Sequence, residues 1–191
     1  MRNARAAQPL RGTRVLVTRP RSESAELAAA IAAAGGDPLV LPAVEVRGLP
    51  REAVAASLAA GPATVDLIIF ISANAVRHGA WLLHDGRIVA RRVAAIGTAT
   101  AAALRAREIP VHVVPEAGFT SEALLAHLDA DASRGVTHAV TIVRGEGGRE
   151  LLAGTFEARG GAVAIVEVYR RERPGAPDDA MRRALSLEPI P

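Results

Sequence analysis

The chain has 191 residues, half of them hydrophobic and 23 % charged, enough for the core of one large domain or two small ones and too apolar for wholesale disorder. It contains no cysteine, which excludes disulfides, thiolate nucleophiles, iron–sulfur clusters and Cys-ligated zinc, and no lysine, which excludes Schiff-base chemistry and a P-loop. The formal charge of +3 rests on 23 arginines, scattered along the chain beside five aromatic residues; this disfavours nucleic acid and suits a phosphate or polycarboxylate, whose oxyanions match the guanidinium fork.

Residues 1–12 read as a disordered basic tail without the apolar segment of a secretory leader. Residues 14–18 form a short apolar strand ending at Arg19-Pro20. Ser22 is a candidate N-cap for an Ala-rich helix over 23–34, closed by Gly35-Gly36. Residues 38–46 alternate like a strand and 51–60 read as a helix. The run at 65–71, VDLIIFI, is the strongest buried strand, followed by a helix over 73–83. Then come a strand at 92–96, a helix at 98–108, a strand at 111–114 and a helix capped by Thr120 or Ser121 and running to about 128. A strand at 138–143, a helix at 149–159, a strand at 162–171, a linker at 174–177 and a helix at 178–187 complete the chain. No run reaches the roughly 18 apolar residues of a membrane span. Strands alternate with helices almost throughout, so the fold class is α/β with parallel sheets, and ligand-binding polar residues are to be sought at the carboxyl ends of the strands.

Two segments match without a gap at an offset of 125 residues. Arg19 stands against Arg144, Leu27 against Leu152 and Gly35-Gly36 against Gly160-Gly161. The shared pattern is strand, turn, helix, Gly-Gly stop and strand, which predicts an internal duplication. On that arithmetic a counterpart of the 65–71 strand falls near 190–199, beyond Pro191, so the chain is expected to lack the later part of its second half.

The stretches VLVTRPRSESAELAAAIAAAGGDPLVLPAVEV, IIFISANAVRHG, VAAIGTATAAALRA, GFTSEALLAHL and TIVRGEGGRELLAGTFEARGGAVAIVEVYRR, in that order and spacing, resemble the uroporphyrinogen-III synthase family. The resemblance spans most of residues 14–173. It implies two parallel-sheet α/β domains joined by a two-stranded crossing linker. The first, incomplete domain would be 1–37 with 174–191, the linker strands 38–47 and 163–173, and the second domain 48–162. It also implies a lyase that closes hydroxymethylbilane, a linear tetrapyrrole polycarboxylate, with loss of water and inversion of ring D. That chemistry passes through an azafulvenium and a spiro intermediate. It calls for an acid at the departing hydroxyl and a cleft that enforces folding, with no cofactor and no metal. A cytoplasmic monomer that binds neither nucleic acid nor membrane is expected. The alternative is a non-catalytic or truncated module of the same fold that holds a tetrapyrrole or another polycarboxylate.

Tyr169, the only tyrosine, falls in VEVYRR, and the resemblance makes it the candidate acid; its other reading is a strand aromatic packing at the hinge. Ser72 and Asn74 follow the 65–71 strand and either hold a carboxylate or cap the next helix. Thr98 and Thr100 take the same place after the 92–96 strand, and Thr100 matches the family's polar position. Arg19 and Arg144, related by the repeat, are candidates for substrate carboxylates or for structural ion pairs. The GEGG turn at 145–148 lacks the GxGxxG spacing of a dinucleotide fold, the five histidines show no paired metal spacing, and no GxSxG elbow exists.

Overall fold

The computed structural model describes residues 8–58, 61–130 and 138–175. Among these, seven strands alternate with seven helices: β1 Arg14–Val17, α1 Ala25–Ala33, β2 Asp37–Val40, β3 Glu45–Gly48, α2 Arg51–Leu58, β4 Thr64–Phe70, α3 Ala73–Gly79, α4 Trp81–His84, β5 Val89–Ala95, α5 Thr98–Arg105, α6 Ser121–Ala130, β6 Ala139–Gly145, α7 Leu151–Ala158 and β7 Ala162–Glu172. The fold is α/β. A two-stranded sheet, β1-β2, is parallel, and a five-stranded sheet has the order β3-β7-β6-β4-β5 with parallel β4–β5, β4–β6 and β6–β7 ladders. The chain divides into two compact units, one up to Val46 and from Arg171 onward, the other Arg47–Arg170. The helix expected over 178–187 lies outside the described residues, as do residues 1–7 of the expected tail.

In the larger unit β4 is central. Leu67, Ile68, Ile69 and Phe70 are all fully buried, which is why its sequence is an unbroken apolar run rather than an alternating one. Leu67 and Ile69 join Ala94, Val140 and Ile142 on the face covered by α6 and α7, through Leu124, Leu152 and Phe156. Ile68 and Phe70 alternate to the opposite face.

The duplication predicted from the 125-residue offset is present in the backbone. Arg14 to Val17 pair with Asp37 to Val40, and Ala139 to Ile142 pair with Ala162 to Ile165 in the same register. Both helices end alike. Gly35 (φ +85°) and Gly160 (φ +79°) take the left-handed conformation, and the next amides donate back to Ile31 O at 3.0 Å and Phe156 O at 2.9 Å.

Several elements differ from expectation. Residues 8–12 are not a loose tail: Leu10 N–H donates to Ala34 O at 3.0 Å and Thr13 N–H to Leu10 O at 2.9 Å. The 38–46 strand is two strands, because Pro42 has no N–H to give a ladder. Ser24, not Ser22, occupies the N-cap of α1, after a 3-10 turn at Arg21–Glu23, and its hydroxyl points back to Arg19 O (3.1 Å) and Pro20 O (2.9 Å). The 73–83 helix breaks at Ala80, where the Trp81 indole donates to His78 O at 2.9 Å. The helix after β5 stops at Arg105, and Glu108 (φ +59°) closes it ahead of Pro110. Residues 111–114 contribute one bridge, Val113 to Ala94, because Pro110 and Pro115 flank the segment and the His112 side chain takes the Val93 N–H at 3.0 Å.

One polar contact fixes where β6 begins. Asp66 Oδ2 accepts from the His138 and Ala139 amides at 3.0 and 3.1 Å. These two N–H donors, with Arg91 adding, hold its carboxyl below its ordinary value against the opposing effect of burial. A lowered folded-state pKa adds stability that is present above the ordinary carboxylate value and lost as pH falls through the lowered one. Asp66→Ala is expected to cost about 1 kcal/mol at neutral pH and to remove that part of the acid sensitivity. Urea melts of both proteins at neutral and acid pH check it; a difference that does not shrink on acidification would count against the assignment.

Candidate functional site

Polar side chains gather where β4, β6 and β7 end. Ser72 follows β4 directly, in extended conformation, as the N-cap of α3, and its Oγ accepts the Ala75 N–H at 2.9 Å. The same Oγ lies 3.2 Å from the Tyr169 hydroxyl of β7. Ser72 is half-buried, whereas Tyr169 is 1 % exposed.

A bulge brings these two residues together. Arg144 pairs with Glu167, but Gly145 pairs with Tyr169, so Val168 is an extra residue on β7. Val168 packs beside Gly79 of α3, and Tyr169 then faces the same way, its ring 6.0 Å from His78 of α3 and tilted by 37°. Gly145 allows this closeness, since a Cβ there would stand 2.5 Å from the tyrosine ring. The Glu146 N–H donates to Tyr169 O at 2.8 Å and fixes the bulge. Burial, then the nearby Arg77 and Arg107 charges, push His78 below its ordinary pKa and favour the neutral imidazole.

Arg144 is buried and its guanidinium is taken up by the protein. Nε and Nη2 reach Glu167 Oε1 at 3.3 and 3.2 Å; Nη1 reaches Glu150 Oε1 at 2.9 Å, Gly148 O at 3.1 Å and Arg149 O at 3.4 Å. It ties the 145–150 turn to β7. Its repeat partner Arg19 is exposed in the smaller unit, 3.7 Å from Glu23. Asn74 sits on α3, its Oδ1 accepting from Arg77 at 3.2 Å. Thr98 is the exposed first residue of α5, whose N-cap is Gly97, while Thr100 is buried in that helix. Thr120 caps α6 through the Ala123 N–H at 3.2 Å.

Ser72 and Tyr169 are therefore joined directly, Arg144 stands across the strand ends from them, and Arg19 belongs to the other unit. Gly145 and His78 were not legible as site residues, because the bulge that gathers them has no period of its own. No group of three or more His, Asp or Glu side chains among the described residues could hold a metal, and no helix among them is long and apolar enough to cross a membrane.

A protein-family profile described as "Uroporphyrinogen-III synthase HemD" matches residues 25–191. The chain is 36 % identical over 161 residues to a uroporphyrinogen-III synthase of Salmonella typhimurium, covering 82 % of this chain and 64 % of that protein. It is 29 % identical over 160 residues to the Proteus mirabilis uroporphyrinogen-III synthase, covering 82 % and 79 %. Among solved structures, a mutant uroporphyrinogen III synthase of the extremely thermophilic bacterium Thermus thermophilus superposes with a TM-score of 0.57 at 22 % identity, covering 84 % of this chain and 63 % of that one; the likeness is one of fold. The chain thus spans under two thirds of some relatives it matches.

Proposed function

Because the chain belongs to the uroporphyrinogen-III synthase family, we propose that it catalyses the cyclodehydration of hydroxymethylbilane to uroporphyrinogen III, with inversion of ring D. It would serve haem and other tetrapyrrole synthesis as a cytoplasmic monomer without cofactor, with the two-domain layout set out from the sequence. The observation that carries the reading in this chain's own chemistry is the Ser72–Tyr169 hydrogen bond at the strand ends.

A serine hydroxyl accepts two hydrogen bonds and donates one. The Ala75 N–H occupies one acceptor position. When Tyr169 donates to the second, the Ser72 proton is left to point outward. Ser72 then gives a hydrogen bond to the departing hydroxyl as its C–O bond breaks and keeps its own proton, the water being completed by the proton that the closing ring gives up; the buried Tyr169 positions Ser72 rather than touching substrate. Thr98 and Asn74, on neighbouring helix starts, line the approach for substrate arms. Thr100 supports α5 from within, and Arg144 shapes the 145–150 turn. Arg19, in the smaller unit and beside Glu23, is left to that unit's own surface. Positioning is the harder demand, since the free azafulvenium closes to the uninverted isomer unaided.

The test is the isomer ratio formed from hydroxymethylbilane by this chain. Isomer III in excess is the expected result. Isomer I alone, at the spontaneous rate, overturns the proposal for this chain.

A further inference from the structure

On the other face of the same strand ends lies a cleft of about 230 Å³ that the hydroxyl pair does not use. Its floor is Ile71, Ile96, Ile142 and Leu152, one wall is Phe119, and Arg149 stands at the rim. Ile71 alternates away from Ser72, so the two features sit back to back across the end of β4.

Beside Thr120, Ser121 and the buried Arg144, the lining has three unlike parts. The floor is aliphatic and continuous with the core beneath α6 and α7. Phe119 keeps 60 % of its surface exposed, the largest exposure among the large hydrophobic residues described. Arg149, whose side chain is 67 % exposed, meets Glu122 across the mouth at 2.6 Å. Its backbone is steadied from beneath by Arg144, which bonds the Arg149 and Gly148 carbonyls. Arg144 also lines the cleft but is engaged by Glu167 and Glu150, so an aliphatic floor, an aromatic wall and the rim guanidinium of Arg149 complement a flat apolar ring with an anionic arm. The volume falls below the roughly 300–1,000 Å³ that encloses a drug-sized ligand, so the cleft has room for one ring and not for a chain of four.

We infer that this cleft is a separate subsite for a single flat apolar ring bearing a carboxylate, with Phe119 against the ring and Arg149 on the carboxylate. Glu122 is the internal anion that the ligand displaces. The inference rests on the proposed function only in taking the ring to be a pyrrole.

The probe is porphobilinogen, a monopyrrole with acetate and propionate arms, titrated into the full chain by calorimetry. Saturable binding is expected. Phe119→Ala should weaken it by about three- to tenfold and Arg149→Gln by about fivefold, with unchanged thermal melts because both side chains are exposed. Glu122→Gln should bind as tightly as wild type or tighter, since it frees Arg149. No binding, binding insensitive to Phe119→Ala and Arg149→Gln, or equal weakening by Glu122→Gln and Arg149→Gln overturns the subsite; the last would make the pair a mere tie across the mouth. The two readings fail separately. Isomer III formed by a chain that ignores porphobilinogen removes the subsite alone, whereas binding lost in both variants, with only isomer I formed, removes the cyclisation reading alone.

Discussion

Ser72→Ala is expected to lower the rate of isomer III formation by about a hundredfold, the lower range for loss of a positioned hydrogen-bond donor to a departing oxygen, while the spontaneous yield of isomer I stays as it was. The same change removes the N-cap of α3, so a stability loss of about 1 kcal/mol accompanies it. Ser72→Thr separates the two effects. It restores the hydroxyl and the cap together, and so should recover most of the rate. Tyr169→Phe keeps the buried ring and deletes only the partner of Ser72. It should lower kcat with little change in KM, because Tyr169 positions a donor and does not hold substrate. Steady-state kinetics with isomer analysis decides: a Phe variant with wild-type kcat and isomer ratio would sink the role given to the pair.

Arg144→Ala is expected to cost about 2–3 kcal/mol, since it strips partners from a half-buried carboxylate and from two carbonyls of the 145–150 turn. Glu150 is largely exposed and regains water, so its loss adds little. Arg144→Lys keeps the charge but not the fork, and one ammonium cannot serve Glu167 and the Gly148 carbonyl with the same geometry. It should fall between wild type and Ala. Denaturant midpoints give the stability, and hydrogen exchange of the 145–150 amides reports whether the turn loosens. Wild-type midpoint and unaltered exchange in Arg144→Ala would show that the guanidinium is not what holds the turn.

The parts of the fold that were legible are those whose physics is local. β4 was readable because burial on both faces demands an unbroken apolar run. The Gly-Gly stops were readable because a left-handed residue favours glycine, and their shared offset exposed the duplication. The strand expected at 111–114 failed for a local reason that was also in view: prolines at 110 and 115 remove ladder donors. The helix break at Ala80 depends on an indole reaching a carbonyl one turn away, and no propensity records it. At the strand ends, the place of Ser72 after β4 was legible because topology dictates it, whereas the burial of Thr100 within α5 was not. The burial of Tyr169 and the inward turn of Arg144 come from pairing across β6 and β7, and single-strand periodicity carries no information about that.

The extra residue at Val168 has a consequence for parity. In a strand, side is decided by counting: odd positions serve one face and even positions the other. Through Ile165 the duplicated unit keeps the count of its first copy, and two pairs further on Arg144 and Glu167 meet on the α6–α7 side. One added residue changes the count for everything after it. Tyr169, which an unbroken strand would send to the side of Arg144, goes instead to Ser72 and His78. Which of two chemistries the only phenol of this chain joins is thus set by an integer in the backbone, not by the identity of any side chain.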